Sequence, residues 1–495
     1  MSQQQIITIV GGGTAGWMSA CLLAKKLEAS RFLIQVVESP DIQTVGVGEG
    51  STPFLKDFFD TLQIKEHDWM PACQATYKCG IRFPGWTGNK RNSSYFHPFY
   101  NELDTEGALT FFADCQKDGN THPDGYFLTS QLSLKHQSPI HLKTPACNAE
   151  YGYHFDAGLL GHYLRDVAIQ LGVSHIEDTV VDVYGDTGKT ITALQGKDSG
   201  RIIGDLFIDC TGFQGLLIRR HLQRGFLNLT HRLMNDSAIA VVTEHEPGQS
   251  HLPSFTDSIA MQHGWMWRIP LQSRMGNGYV FSSAHTTQEE AEQEMRGALG
   301  LDDSVGFKRL KWQPGRLQEH WFSNCVAIGL SQGFLEPLEA PMLNIMQHSI
   351  DMLVATLQNP RVTEKHKHEF NLAVNSLIDG TMDYIQAHYV TNCRSDTQYW
   401  QDVRLNTRQS APLKAILQDW QNNRNIDSAL RKYAHTQPYF KTSWLCLLAG
   451  MSAQQGCCDV RLGTSTRDYF YHDEALTLLH EHGQGLAQIQ EVKYG

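Results

Sequence analysis

The chain has 495 residues, of which 41% are hydrophobic and 19% charged, a composition typical of a folded globular protein with a sizeable core. Its 41 basic and 52 acidic residues give a formal net charge of −11. This acidic balance, without a basic stripe, argues against nucleic acid and anionic membrane as partners.

The sequence carries no sign of secretion, membrane insertion or metal binding. No apolar run approaches the roughly 18 residues of a spanning helix, and "MSQQQIITIV" lacks the regions of a signal peptide. The 11 cysteines form no C-x-x-C pair, which is typical of reduced thiols. We therefore expect a cytoplasmic protein without a metal site.

The chain opens with a predicted βαβ unit. Residues 6–10 are apolar and largely β-branched, residues 14–28 carry apolar positions at helical spacing, and residues 33–38 form a second apolar run. These patterns predict a strand, a helix and a second buried strand.

Later segments continue this mixture of strands and helices. The predicted elements are a helix over 153–173, a strand and turn over 175–186, a strand ending in a glycine turn over 201–220, an antiparallel sheet over 237–285, a strand over 325–333, and helices from about 341 onward.

A glycine fingerprint joins the first strand to the first helix. Gly11, Gly13 and Gly16 fit G-x-G-x-x-G, in which the glycines allow a tight turn, backbone approach to a pyrophosphate and close helix packing. Glu38 ends the second strand, where a carboxylate binds ribose hydroxyls. The alternative is a glycine-rich turn without a ligand, which the placement and the acidic partner disfavour.

Two later segments favour FAD over NAD as the dinucleotide. "FIDCTG" and "AIGLSQG" each place a glycine after a strand, and an extended flavin needs contacts from several distant loops. The G-x-G of "RMGNGY" lies inside a predicted hairpin, so no second fingerprint is complete. We therefore expect another protein to supply the reduced flavin.

These observations define the expected fold class and domains. The class is α/β, with a Rossmann-like FAD-binding domain of the flavin monooxygenase type, an antiparallel β-sheet layer and a helical C-terminal region. We expect a discontinuous module over 1–350, with FAD segments at about 1–60, 150–220 and 320–350, followed by a helical substrate-side region over 351–495.

The motifs together resemble the tryptophan halogenase type of flavin-dependent halogenase. The resemblance is carried most specifically by the W-x-W-x-I-P element of "GWMWRIP", and it covers most of the chain. The other matching segments are "GGGTAGWMSA", "GVGEGSTP", "CQATYKCGIRF", "SYFHPF", "DLFIDCTGFQGLLI", "GLSQGFLEPLEA" and "IQAHYVTNCRSDTQYW".

The resemblance implies a catalytic lysine and a catalytic glutamate. In the family, reduced FAD, O2 and halide, either chloride or bromide, give hypohalous acid, which crosses a tunnel to a lysine beside an aromatic substrate. That lysine corresponds to Lys78, whose ammonium can hydrogen-bond hypohalous acid or whose amine can form a haloamine. Glu339 of "LEPLEA" corresponds to the glutamate that polarises the reagent or removes the substrate proton, with Glu336 as its competitor.

The resemblance also assigns the walls of the site and the FAD contacts. Trp265 and Trp267 match the pair between flavin and tunnel, although aromatics on such a strand are ordinarily core. His97 and Phe99 match substrate-pocket positions, with a loop anchor around Pro98 as the plain alternative. The cofactor contacts implied are Gly13, Thr14, Ala15 and Gly16 at the pyrophosphate, Glu38 at ribose, Val180 near adenine, and Leu330 and Leu343 near the flavin.

The chain departs from the free-tryptophan enzymes in two places. Their halide site has T-G after the glutamate run, whereas this chain has Pro341, which lacks an N–H, and Met342. This change leaves the halide open, with the larger and softer bromide as one hypothesis. Segment 431–444 also lacks the Tyr-Tyr pair that clamps a zwitterion, so the substrate is an indole, another electron-rich aromatic or tryptophan within a larger molecule.

We expect a halogenase working with a separate flavin reductase on a small, indole-like aromatic. The alternatives are a flavin-dependent aromatic monooxygenase and a catalytically silent flavin-binding protein. Lys78 with the two tryptophans argues against the first, and Lys78 with Glu339 argues against the second. The sequence leaves the oligomeric state open, with a homodimer as one option.

Overall fold

The computed structural model describes residues 4–42, 48–87, 94–117, 121–142, 150–246 and 251–452. Gly46 and Val47 of "GVGEGSTP" and residues 453–495 of the expected helical region lie outside these ranges. The chain forms two compact units that alternate along the sequence. The first unit comprises 1–75, 155–230 and 312–378, and the second comprises 76–154, 231–311 and 379–495.

The described strands run in chain order as follows: Gln5–Val10, Phe32–Glu38, Glu49–Gly50, Thr76–Lys78, Gly80–Pro84, Ser94–Pro98, Gly152–Phe155, Ser174–Glu177, Val180–Tyr184, Ala193–Gly196, Gly200–Ile203, Leu206–Asp209, Phe226–Asn228, Ser237–Thr243, Thr256–Ala260, Gly264–Pro270, Met275–Phe281, Lys308–Lys311, Gly315–Leu317, Trp321–Phe322, Cys325–Ala327 and Gly333–Phe334.

The described α-helices are Thr14–Lys26, Phe54–Leu62, Glu66–Trp69, Thr105–Lys117, Leu128–Leu134, Ala157–Gln170, Gln288–Leu299, Pro341–Leu357, Glu364–Thr391, Gln398–Arg404, Ala411–Asn423, Asp427–Lys432 and Lys441–Ser452. Those after residue 341 confirm the expected helical region as far as residue 452. Within the ranges given above, no helix has the length and apolar character needed to cross a membrane.

The first unit is built on a six-stranded sheet. Strand Gln5–Val10 lies between Phe32–Glu38 and Leu206–Asp209 and is parallel to both. Helix Thr14–Lys26 connects the first two, so the predicted βαβ unit is confirmed. The carboxyl ends of parallel strands meet at one edge of the sheet, and this places the turn after residue 10 beside the turn after residue 209.

Two predicted elements begin or divide differently in the structure. The helix predicted over 153–173 begins only at Ala157, because the side chain of Asp156 caps it by accepting a hydrogen bond from the Leu159 N–H. The residues before this cap form strand Gly152–Phe155. The segment predicted as a strand and a turn over 175–186 forms two short strands in different sheets, Ser174–Glu177 and Val180–Tyr184.

The second unit contains a seven-stranded sheet. Its order is Lys308–Lys311, Ser237–Thr243, Met275–Phe281, Gly264–Pro270, Thr256–Ala260, Gly80–Pro84 and Ser94–Pro98. Five of its six pairings are antiparallel, so the antiparallel layer predicted over 237–285 is confirmed. Pro270 pairs with Met275, which places "RMGNGY" in the hairpin expected for it.

A carboxyl group in the first unit gives a pH-dependent test of the fold. Burial, and secondarily the negative charge of Asp156, raise the pKa of Glu49 from its ordinary 4.5 to about 7. The unfolded chain therefore loses this proton at lower pH than the folded protein does, and stability falls as pH rises from about 4.5 to 7.

We expect Glu49→Gln to remove this penalty. The variant should gain at most about 3 kcal/mol over the parent at pH 8 and nothing at pH 4.5. Thermal melts of both proteins across this range, without added flavin, measure the gain. A stability difference that stays constant with pH contradicts the assignment.

Candidate active site

The glycine turn of the first unit has the geometry of a phosphate cradle. Gly11 has a φ of +114°, and a Cβ there would lie 2.3 Å from the carbonyl oxygen of Cys210. A Cβ on Gly16 would lie 1.9 Å from the carbonyl oxygen of Gly11, whereas one on Gly13 would meet nothing within 4 Å. Gly11 and Gly16 therefore serve internal packing, and the open space at Gly13 suits the approach of a ligand.

The start of helix Thr14–Lys26 leaves its donors available. Gly13 occupies the N-cap position, and no side chain caps the helix. The backbone N–H groups of its first turn therefore lack the usual side-chain acceptor, and the positive end of the helix dipole lies beside them. This arrangement suits a pyrophosphate near Thr14 and Ala15.

Two distant segments converge on this turn, as an extended cofactor requires. Cys210 follows strand Leu206–Asp209 and contacts Gly11. Gly329 has a φ of +77°, and a Cβ there would lie 2.6 Å from the Cβ of Ala15. The Ser331 hydroxyl donates to the carbonyl oxygen of Asp209. The segments "FIDCTG" and "AIGLSQG" are thus held together at one edge of the sheet.

The side chain of Asp209 fixes the segment "FIDCTG", to which it belongs. It accepts hydrogen bonds from the Thr211 N–H and hydroxyl and from the N–H groups of Leu217 and Ile218, at 2.6 to 3.0 Å. Burial raises its pKa, while these hydrogen bonds oppose the rise. Sequence reasoning did not single out Asp209, although an acidic residue in an apolar strand is a signal for such a role.

Glu38 ends its strand, as the sequence predicts, but already has partners. Its carboxylate lies 3.0 Å from Nε2 of His175 and accepts a 3.4 Å hydrogen bond from Nε1 of Trp17. A Cβ on Gly12 would lie 2.1 Å from its Oε1. Glu38 is therefore packed against the glycine turn, and its contact with a ribose stays a prediction.

The other predicted flavin contacts also lie in the first unit. Val180 is half-buried at the start of a strand. Leu330 follows Gly329 in "AIGLSQG", and Leu343 is buried in helix Pro341–Leu357. Together with the cradle at Gly13, these residues fit an FAD molecule.

The predicted halide segment starts helix Pro341–Leu357. Ala340 occupies its N-cap with a φ of +51°, a left-handed conformation that is uncommon for a residue with a side chain. The thioether of Met342 accepts a 3.4 Å hydrogen bond from the Leu335 N–H. Glu339 and Glu336 are both buried beside this helix start.

Lys78 is buried in the second unit, and the strand register places a glycine opposite it. It pairs with Gly152, so no side chain faces it from the neighbouring strand. Its Nζ lies 5.4 Å from the ring centre of Phe99. The Phe99 N–H donates to the carbonyl oxygen of Cys79 at 3.0 Å, which fixes that ring beside the lysine.

A buried histidine lies on the same side of this strand pair. His154 pairs with Thr76, two residues from Lys78. The Thr76 hydroxyl donates to the carbonyl oxygen of Pro270 at 2.6 Å and lies 3.1 Å from His154 Nδ1, while Nε2 lies 2.9 Å from the Thr256 hydroxyl. Because the Thr76 proton is engaged by Pro270, His154 donates from Nδ1 and accepts at Nε2.

This environment keeps His154 neutral. Burial, and secondarily the positive charge of Lys78, lower its pKa well below 6.5. The hydrogen bonds of His154 link Thr76 of the lysine strand to Thr256, and the Thr76 hydroxyl itself links the lysine strand to Pro270 at the end of the W-x-W-x-I-P strand. Sequence reasoning missed His154 because its segment was predicted to be helical.

The predicted pocket residues His97 and Phe99 lie on and after strand Ser94–Pro98. The Tyr384 hydroxyl donates to the carbonyl oxygen of Ser443 at 3.0 Å and lies 3.4 Å from Nε2 of His97. His97 is therefore the donor in that contact. Tyr384, which the sequence did not single out, connects the pocket strand to the C-terminal helices.

Trp265 and Trp267 are buried on one strand, with ring centres 6.1 Å apart. The ring of Trp267 covers Gly278, where an added Cβ would lie 1.9 Å from the indole. A glycine opposite a tryptophan thus makes room for the ring. The two tryptophans belong to the packing of the second unit, and a tunnel-wall role for them stays a prediction.

Comparison with known proteins agrees with this geometry. The family model for tryptophan halogenase matches residues 6–458. The 7-chloro-L-tryptophan 6-halogenase of Kutzneria sp. (strain 744) is 34% identical over 472 residues, which cover 90% of each chain. The chain belongs to the tryptophan halogenase family.

Solved structures support the same conclusion. The tryptophan 6-halogenase of Streptomyces toxytricini superimposes with a TM-score of 0.89 at 31% identity, covering 98% of each chain. A flavin-dependent halogenase from Brevundimonas sp. BAL3 gives a TM-score of 0.83 at 31% identity, covering 98% of this chain and 97% of that one. These matches confirm the predicted fold class.

This halogenase uses reduced FAD, O2 and halide, and its family takes reduced flavin from a separate reductase. The comparisons do not favour the hydroxylase or the silent flavin-binding alternative. Among the residues that the structure describes, no group of histidine, cysteine, aspartate or glutamate side chains is arranged to hold a metal ion.

The glycine turn predicts different outcomes for two similar substitutions. Gly13→Ala should leave the melting temperature unchanged, since the new methyl group meets no protein atom, and should weaken FAD binding by about tenfold or more by blocking the pyrophosphate. Gly16→Ala should lower the melting temperature, because the backbone at Gly11 must move. Flavin titration with thermal melts measures both, and equal stability of the two variants contradicts the assignment.

Proposed function

We propose that this halogenase transfers an electrophilic halogen through Lys78 to an uncharged, indole-like aromatic. The observation that carries the proposal is the placement of Lys78, which is buried opposite Gly152 and faces the Phe99 ring. A lysine in such a site holds a small reagent in a space with few competing groups. The first unit would hold reduced FAD, which supplies two electrons to O2, so that one oxygen atom oxidises halide to hypohalous acid and the other leaves as water.

Lys78 holds the reagent beside the substrate. Its ammonium donates a hydrogen bond to the oxygen of hypohalous acid, or its neutral amine attacks the halogen, so that an N–X bond forms while the O–X bond breaks and the amine proton leaves with hydroxide as water. The neutral His154 hydrogen-bonds to Thr76 and Thr256.

Glu339 assists the aromatic substitution as a general base. A buried carboxylate at the start of helix Pro341–Leu357 can take the proton that the substrate loses, or it can polarise the reagent. Glu336 is the competing candidate because it is equally buried.

The remaining features of the proposal concern the surroundings of the reaction. Trp265 and Trp267 keep the substrate away from the flavin, and His97 and Phe99 flank its ring. Pro341 and Met342 shape a halide site that accepts bromide as well as chloride. The enzyme works in the cytoplasm with a diffusing reduced flavin, and a homodimer is the proposed assembly.

Lys78→Ala separates halogen transfer from flavin chemistry. The variant should bind FAD and consume reduced flavin and O2 like the parent, because the glycine turn is intact, but it should form almost no halogenated product. Paired assays of flavin absorbance, O2 uptake and product mass measure this, with the exposed Lys365→Ala as control.

Glu339→Gln should halogenate roughly 10²–10⁴-fold more slowly than the parent, the usual contribution of a general base. Glu336→Gln provides the matched comparison. Wild-type product yield from Lys78→Ala, or a larger loss from Glu336→Gln than from Glu339→Gln, contradicts these roles.

Free tryptophan should be a poorer substrate than indole or an uncharged indole derivative. Segment 431–444 lacks the Tyr-Tyr pair, and a buried zwitterion without polar partners is costly. Steady-state assays with a flavin reductase, FAD, NADH and bromide or chloride measure kcat/KM for each compound by the isotope pattern of the product. A higher kcat/KM for tryptophan than for every indole tested overturns this prediction.

A further inference from the structure

Segment 431–444 contains polar groups that the fold leaves without partners. Both polar atoms of the Gln437 side chain, Oε1 and Nε2, are inaccessible to solvent, and neither has a hydrogen-bond partner among the described residues. The indole N–H of Trp444 is also buried and has no hydrogen-bond partner among the described residues. A buried polar group without a partner typically costs about 1–3 kcal/mol.

These groups lie along one stretch of helix Glu364–Thr391. A Cβ on Gly380 would lie 1.9 Å from the carbonyl oxygen of Thr436 and 2.5 Å from Cδ of Pro438, so the chain on either side of Gln437 presses against the helix. One turn further on, Tyr439 stacks on Tyr384 with ring centres 3.8 Å apart. Gln437 is therefore held in place by its neighbours on both sides.

The same tyrosine connects this segment to the predicted substrate pocket. Trp444 lies edge-on to Tyr384 with ring centres 5.0 Å apart, and the Tyr384 hydroxyl lies 3.4 Å from Nε2 of His97. Two residues after His97 is Phe99, whose ring faces Lys78. Trp444 therefore contacts the Tyr384 ring directly, and Gln437 lies two residues before Tyr439, which stacks on the same ring.

The chemistry of these groups selects an uncharged ligand. An amide offers two donors and one acceptor, and the indole adds one donor. Of the three cations of this segment, Lys441 is already paired with Asp427 at 2.7 Å, and Arg431 and Lys432 are exposed to solvent. The group that satisfies Gln437 is therefore one that both donates and accepts without carrying charge.

We infer that Gln437, together with the indole N–H of Trp444, recognises an uncharged amide group attached to the aromatic substrate. The inference rests on the proposed function for the identity of the pocket. It makes Gln437 a specificity-determining residue, which selects among indoles by the group attached to the ring.

Calorimetric binding to the FAD-loaded enzyme tests this without requiring halogenation. The probes are indole-3-acetamide, 3-methylindole and indole-3-acetate. The parent should bind the acetamide about tenfold or more tightly than 3-methylindole, since the amide satisfies groups that the methyl compound leaves unpaired. Indole-3-acetate should bind no better than 3-methylindole.

Two variants at position 437 and one control complete the design. Gln437→Leu should bind indole-3-acetamide and 3-methylindole about equally, with its affinity for 3-methylindole unchanged from the parent. Gln437→Glu loses both donors and should also show a smaller preference for the acetamide than the parent. Gln418→Leu, on the exposed surface of helix Ala411–Asn423, should keep the parent's preference. Thermal melts confirm that each variant is folded.

The outcomes separate this inference from the proposed function. A parent that binds both neutral indoles equally, or a Gln437→Leu variant that weakens both equally or neither, overturns the role of Gln437 even if the enzyme halogenates indoles. The parent enzyme could instead prefer the acetamide, lose this preference in Gln437→Leu and yet yield no halogenated indole. That result supports the inference and contradicts the proposed reaction.

Discussion

The backbone contact between Gly11 and Gly16 is the constraint on which the first unit depends. The carbonyl oxygen of Gly11 occupies the position that a Cβ on Gly16 would take, and the carbonyl of Cys210 does the same for Gly11. A side chain at Gly16 would push helix Thr14–Lys26 away from the glycine turn, and one at Gly11 would push "FIDCTG" away from that turn. The close approach that packs the first unit also leaves the donors of the helix start facing the open space at Gly13.

In the second unit, glycines likewise lie opposite large side chains, at Lys78 and at Trp267. Gly152 presents no side chain opposite Lys78, and Gly278 leaves room for the Trp267 ring that covers it. Because a one-residue slip turns every side chain to the other face, the pairing of Thr76 with His154 fixes which face Lys78 occupies. The histidine's hydrogen bonds to two threonines stabilise that register.

The parts of this protein that depend on local sequence were predictable. The βαβ unit, the glycine turn and the antiparallel hairpin at Pro270 follow from periodicity and from the conformational demands of glycine. His154 and Tyr384 could not be found in this way, because their roles arise from pairing with residues far away in sequence. The strand containing His154 was obscured by the amphipathic pattern of the helix that follows it.

The polarity around Lys78 suits a protein that handles a reactive halogen. Burial raises the pKa of Cys79, the next residue, to about 12, so its sulfur stays a thiol rather than the more nucleophilic thiolate. Burial also keeps His154 neutral. A thiol reacts with an electrophile more slowly than a thiolate does, and the lone pair on Nε2 of the neutral His154 accepts a hydrogen bond from the Thr256 hydroxyl. This protection of both neighbours is what the proposed role of Lys78 as the halogen acceptor requires.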